Sequence, residues 1–140
     1  MVYFVSGHRN LTQEEFNKYY VPEIMATFLH CTPYGMPDFV VGDYYGADKM
    51  FMDFILPYVC KGDCSLTIYH MFDSPRNTPF GRSVEELTKE FNVTFIGGFQ
   101  TDEERDAAMT ADSDFDIAFY HWNRYKSGTA RNIQRRHELR

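Results

Sequence analysis

Strand-like and helix-like segments alternate along this chain from end to end, and that alternation is what most limits its fold. "VYFVS" (2–6) is β-rich and stops at Gly7, as a buried strand entering a loop does. Thr12 then precedes Glu15 by the spacing of a capping box. A helix is expected over about 12–29, bent or broken near its middle by Pro22. "DFVVGD" (38–43) reads as a second strand closed by Gly42. Within "YGADKMFMDFILPYV", Met50, Phe51, Phe54 and Ile55 recur at nearly helical spacing. "CSLTIYHMF" (64–72) is expected as the third strand. After the loop "PRNTPFGRS", Ser83 ahead of Glu86 marks another helix start. "VTFIGGF" supplies a fourth strand, and "TDEERDAAMTAD" a helix with Thr101 as cap and Glu104 at its third position. "FDIAFY" is the fifth strand, and "SGTARNIQRRHEL" the closing helix.

This order predicts a single three-layer α/β domain over residues 1–140, with a mainly parallel sheet of about five strands. A chain of 140 residues can bury one core, and its 17% aromatic content makes that core or a pocket ring-rich. The net charge of −6 argues against a protein that coats nucleic acid, which needs a basic surface to displace counterions. Nothing in the sequence approaches the ~20 apolar residues of a membrane span. Cys31, Cys60 and Cys64 form no even disulfide framework, and "CKGDC" lacks a second Cys/His pair at zinc spacing. Reduced thiols, a cytoplasmic setting, and neither metal nor cofactor are therefore expected.

In a parallel sheet with right-handed crossovers, every strand-to-helix turn lies on the same C-terminal edge. Three such turns carry chemistry. In "SGHRN", Gly7 allows close backbone approach and Arg9 offers a planar fork for phosphate or carboxylate. His8 beside them has no carboxylate partner identifiable from the sequence. In "GDYYGADK", Gly42 and Gly46 frame a turn, and Asp43 or Asp48 can receive a pair of ribose hydroxyls. Asp48 as a simple complement to the helix dipole is an equally open reading. In "KSGTARN", Ser127 or Thr129 caps a helix, Gly128 admits an anion to the backbone N–H groups, and Lys126 and Arg131 add charge. Neither a Walker A sequence nor GxGxxG is present. Glu103 and Glu104 open another helix, where such residues usually cap. One of them facing a pocket would serve as nucleophile or general base in glycosidic chemistry.

Four pieces in order resemble the SLOG superfamily, the Rossmann-like group of the YspA-like proteins, DprA and the lonely-guy phosphoribohydrolases; the YspA-like branch is the nearest. "VYFVSGHRN" is similar to its strand and T/S-G-x-R turn, and "FVVGDYYGADKM" to its G-G-x-x-G-A-D. "ERDAAMTADSDFDIAFY" is similar to the R-N-x-x-M…D…A-F segment, and "KSGTARNI" to the S-x-G-T turn before the last helix. The resemblance implies a pocket for a nucleotide or nucleotide derivative at the strand C-termini. Its matching positions are Gly7, Arg9, Gly42, Gly46, Ala47, Asp48, Arg105, Met109, Ser127, Gly128 and Thr129. It also implies that a homo-oligomer is to be expected. Some members cleave the N-glycosidic bond of nucleoside monophosphates with an Arg and a Glu. Here the P-G-G-x-G-T-x-x-E signature is missing, and Asn132 stands three residues after Thr129. Nucleotide binding is therefore the leading expectation. A nucleotide N-glycosidase or deoxyribosyltransferase-like enzyme using Glu103 or Glu104 is an alternative, and a structural protein without ligand is another. The segment "HMFDSPRNTPFGRSVEELTKEF" looks inserted between the matching pieces, as a lid or subunit contact would be.

Overall fold

Near-continuous apolar runs suit strands covered on both faces, and the three central strands of this sheet are of that kind. The computed structural model describes residues 1–31, 35–121 and 127–139. In chain order its elements are β1 (Val2–Ser6), α1 (Gln13–Tyr19), α2 (Val21–Cys31), β2 (Asp38–Val41) and α3 (Ala47–Cys60). These are followed by β3 (Ser65–Met71), a 3-10 turn (Pro79–Gly81), α4 (Val84–Glu90), β4 (Thr94–Phe99), α5 (Asp102–Ala111), β5 (Phe115–Ala118) and α6 (Gly128–Leu139). The strands form one sheet in the order β4-β3-β2-β1-β5, and all four pairings are parallel.

Period-two alternation divides the sheet into two faces. Tyr3, Val5, Phe39, Val41, Leu66, Ile68 and Ile117 share the larger core with Phe16, Tyr20, Ile24, Phe51, Met52 and Ile55 of α1–α3 and the α1/α2 junction. Phe4, Val40 and Tyr69 point the other way and pack with Met109 of α5. Helices therefore cover both faces of an all-parallel, Rossmann-like sheet, as the alternation predicts.

The caps follow the sequence closely. Thr12 and Glu15 make a reciprocal capping box at α1. Ser83 accepts from the Glu86 N–H and Thr101 from the Glu104 N–H, each at 3.1 Å. The helix expected over 12–29 is divided at Tyr20, two residues before Pro22, which has no N–H to continue an unbroken ladder. The junction places the Tyr20 ring in the core with no exposed surface. Its hydroxyl donates to the Ser6 carbonyl at 2.7 Å and accepts from the Phe119 N–H at 3.0 Å. One phenol thus bridges the ends of β1 and β5.

Replacing Tyr20 by Phe leaves the buried Ser6 carbonyl and the half-buried Phe119 N–H without this partner, at about 1–3 kcal/mol for an unsatisfied buried group. Urea denaturation of Tyr20→Phe should show a loss within that range. An unchanged midpoint would mean that the phenol bridge contributes nothing.

Candidate functional site

The chain builds outward from β1 through β2, β3 and β4, then returns to place β5 on the other side of β1. Such a reversal opens a crevice at the strand C-termini. A cavity of about 430 Å³ lies there. Ser6 to Arg9 line it from the end of β1 and the turn beyond. Gly42, Tyr44, Tyr45 and Asp48 come from the turn after β2 and the first turn of α3. Phe4 and Met109 form its floor. Asp102, Arg105 and Asp106 of α5 face Ser127, Gly128, Thr129, Arg131 and Asn132 at the start of α6.

Of the positions singled out in the sequence, Gly7, Arg9, Gly42, Asp48, Arg105, Met109, Ser127, Gly128 and Thr129 meet around this one cavity. Gly46 and Ala47 do not line it; they shape it from behind. Gly46 has φ +75°, and a Cβ there would overlap the His8 and Arg9 carbonyls. Ala47 is fully buried, and a Cβ on Gly7 would overlap both it and the Tyr20 hydroxyl. Lys126 lies outside the described residues. Glu103 and Glu104 do not line the cavity either. Glu103 is exposed, and Glu104 accepts the Gln100 N–H at 3.0 Å, closing the α5 N-terminus. The segment after β3 supplies no lining residue; it braces the cavity wall through Arg76.

The charges divide into those already committed and those left over. Asp43 is wholly buried, and its carboxylate accepts from Arg76 Nη2 and Arg105 Nη1, each at 2.9 Å, and from the Arg76 N–H at 2.7 Å. Burial works to raise its pKa, but these hydrogen bonds and the two guanidiniums together hold it below the ordinary carboxylate range. Arg105 is held as tightly. It also meets Asp106 Oδ1 through Nη2 at 3.0 Å and Asp102 Oδ1 through Nη1 at 3.0 Å. It is a structural hub, and its charge is spent within the protein. Asp106 further accepts from the Asn132 amide at 3.2 Å. A glutamate in place of Asn132 would set a second carboxylate against Asp106 where the amide now donates.

Asp48 differs from its neighbours. It is 7% exposed, no arginine stands within ion-pairing distance among the described residues, and the Tyr44 N–H reaches Oδ2 at 3.2 Å. Burial pushes its pKa up to about 7, against the opposing charge of Arg105. A Cβ on Gly42 would lie 2.7 Å from Asp48 Oδ2 and 2.9 Å from the Arg105 guanidinium carbon, so only glycine leaves this corner clear. Of the two acidic residues that the sequence offers here, Asp43 is sealed in and Asp48 lines the cavity.

The opposite wall favours anions. Ser127 Oγ accepts from the Ala130 N–H at 3.1 Å, the bond of an N-cap, and α6 brings its positive dipole end to the cavity. Arg9 and Arg131, both exposed, also line the cavity and make no ion pair among the described residues. Between these walls lies Ser6, 6% exposed. Its Oγ is the one buried side-chain polar atom without a hydrogen-bond partner among the described residues. Ser6 lines the cavity and is not among the positions singled out in the sequence, although a lone polar residue ending a buried strand is a readable signal.

His8 also gains a setting that the sequence could not supply. Its Nε2 accepts the His121 N–H at 3.2 Å, and the two imidazoles stack at 5.7 Å with only 3° between their planes. His121 in turn pairs with Glu15 Oε2 at 2.9 Å, so the carboxylate partner exists one ring removed. Among the described residues, no group of three His, Cys, Asp or Glu side chains is placed to hold a metal ion, and no helix is long and apolar enough to cross a membrane. Comparison with family models, curated proteins and solved structures found no match, so the site is read from its own geometry.

Asp48 gives the site a pH signature. A carboxyl with a folded pKa near 7 and an unfolded value near 3.9 binds more protons when folded, so its ionisation lowers stability as pH rises from about 4 to about 7. Asp48→Asn should match the wild type near pH 4 and become the more stable protein above pH 7. Equal stability of the two proteins across that window would contradict the raised pKa.

Proposed function

We propose that the cavity binds a nucleotide or a nucleotide-derived small molecule of the nucleoside-monophosphate or ADP-ribose type. The observation that carries this reading is the buried Ser6 hydroxyl, unpartnered within the described residues, at a cavity shared with the α6 N-terminus. A buried polar group without a partner costs stability, and a ligand hydroxyl or phosphate oxygen entering the cavity would satisfy it. The phosphate belongs on the Ser127–Thr129 turn, where Arg9 and Arg131 line the same cavity. The sugar belongs on the other side, because the Asp48 carboxylate repels a phosphate and accepts hydrogen bonds from hydroxyls. Arg105 lines the cavity with its charge committed to carboxylates, and keeps the walls together. The resemblance to the SLOG superfamily agrees with this arrangement, as does the resemblance of "GDYYGADK" to its G-G-x-x-G-A-D segment.

A second reading, a nucleotide N-glycosidase or deoxyribosyltransferase-like enzyme, is favoured by one observation. Asp48 is a cavity carboxylate with no arginine committed to it, at a pKa that suits proton transfer near neutrality. It takes the place that the sequence offered to Glu103 and Glu104. We also propose a reducing, cytoplasmic setting, supported by the free thiols of Cys31, Cys60 and Cys64; self-association rests on the resemblance alone.

Thermal unfolding with AMP, ADP-ribose and NAD tests binding directly. A ligand at a hundred times its Kd adds about 2.7 kcal/mol of stability. Gly128→Trp should abolish the shift and still fold, since no described atom lies within 4 Å of the Gly128 Cβ position. Ser6→Ala should leave the free protein as stable or more so, and shrink the shift. No shift with any of the three ligands contradicts the reading. Release of free base from nucleoside monophosphates, lost in Asp48→Asn, would move the assignment from binding to catalysis.

A further inference from the structure

The mouth of the cavity carries a large ring to which the phosphate and sugar contacts assign no task. Tyr45 lines the cavity and is 59% exposed. An exposed tyrosine is ordinary by itself; what sets this one apart is the firmly held ring of Tyr44 against which it packs. The guanidinium of Arg76, anchored on Asp43 and Asp102, lies over the Tyr44 ring at 4.4 Å. Arg9 Nη1 donates to the Tyr44 hydroxyl at 3.5 Å, and the Tyr44 N–H is bound to Asp48. Tyr45 packs edge-to-face with this fixed ring, centroids 5.4 Å apart at 77°. Whichever ring supplies the edge, at least one face of Tyr45 stays uncovered by Tyr44. On the C-terminal side Gly46, with its positive φ, seats the turn against the His8 and Arg9 carbonyls.

We propose that Tyr45 is the stacking platform for a flat, unsaturated ring of the ligand, a purine or pyrimidine base, and so determines which ligands bind. The inference rests on the nucleotide reading above and adds where the base sits. The other walls leave it little choice. The α6 side suits anions, and the Asp48 and Ser6 side suits hydroxyls. The apolar floor of Phe4 and Met109 is 1% exposed at each residue, too little to cover a base. Stacking needs only a π-face, so selection by Tyr45 follows ring area, and purines bind more tightly than pyrimidines without hydrogen-bond readout of the base edge.

Calorimetric titration of the full chain with ribose 5-phosphate, AMP and ADP-ribose decides the matter, on the wild type, Tyr45→Ala and Tyr45→Trp. Stacking on one aromatic side chain amounts to roughly a ten-fold gain in affinity or more. The wild type should therefore prefer AMP to ribose 5-phosphate by at least about that factor. Tyr45→Ala should weaken AMP and ADP-ribose by the same factor and leave ribose 5-phosphate unchanged, while Tyr45→Trp keeps the preference. Base-bearing ligands that ignore Tyr45→Ala, or an equal loss for ribose 5-phosphate, would overturn the platform and leave the nucleotide reading intact. Failure of all three ligands to bind the wild type would overturn both.

Discussion

The buried charge of Asp43 is the constraint around which this molecule is organised. A carboxylate with no exposed surface is tolerated only where hydrogen bonds and opposite charge replace the water it has lost. Arg76 and Arg105 do this from different parts of the chain: Arg105 comes from α5, and Arg76 from the loop after β3. Arg105 then gathers Asp102 and Asp106, and Asp106 reaches across to Asn132 in α6. The turn after β2, the loop after β3, α5 and α6 are therefore joined by one polar network. Removing one arginine would leave a buried charge partly uncompensated, a loss of about 3–5 kcal/mol for a buried pair broken on one side.

The character of the cavity follows from how that network spends its charges. Arg105, the most central cation, is consumed by carboxylates, and most of the acidic groups nearby are consumed by it. What remains at the cavity is Asp48 on one wall, the α6 N-terminus with Arg9 and Arg131 on the other, and Ser6 between them. A ligand that is anionic at one end and rich in hydroxyls at the other fits this division. On the proposed reading, Tyr45 at the mouth completes a set of three surfaces, one each for phosphate, sugar and base.

Much of this was legible in the sequence because it depends on local rules. Thr12, Ser83, Thr101 and Ser127 cap the helices that they precede. The alternation of elements forced a parallel sheet, and a parallel sheet brought "SGHRN", "GDYYGADK" and "KSGTARN" to one edge. What stayed hidden depends on helix phase and on distant pairs. Arg105 and Met109, four residues apart, turn inward and fix the rotation of α5. Asp102 and Asp106, flanking that stripe, therefore reach the cavity, and Glu103 and Glu104 do not. Acidic residues in a row carry no sign of which will face inward. The bonds of Arg76 to Asp43 and of His121 to Glu15 join residues far apart in the chain, and neither segment announces the other.

Where a nucleotide touches the protein is the most direct test of the proposed site. Backbone amide spectra recorded during titration with ADP-ribose read that location residue by residue. The prediction is a set of shifts centred on Ser6 to Arg9, Gly42, Tyr45, Asp48 and the first turn of α6 at Ser127 to Arg131, with little change at the far end of the sheet. Shifts centred instead on the apolar groove of Met25, Phe28, Met36 and Tyr58, or none at saturating ligand, would contradict it.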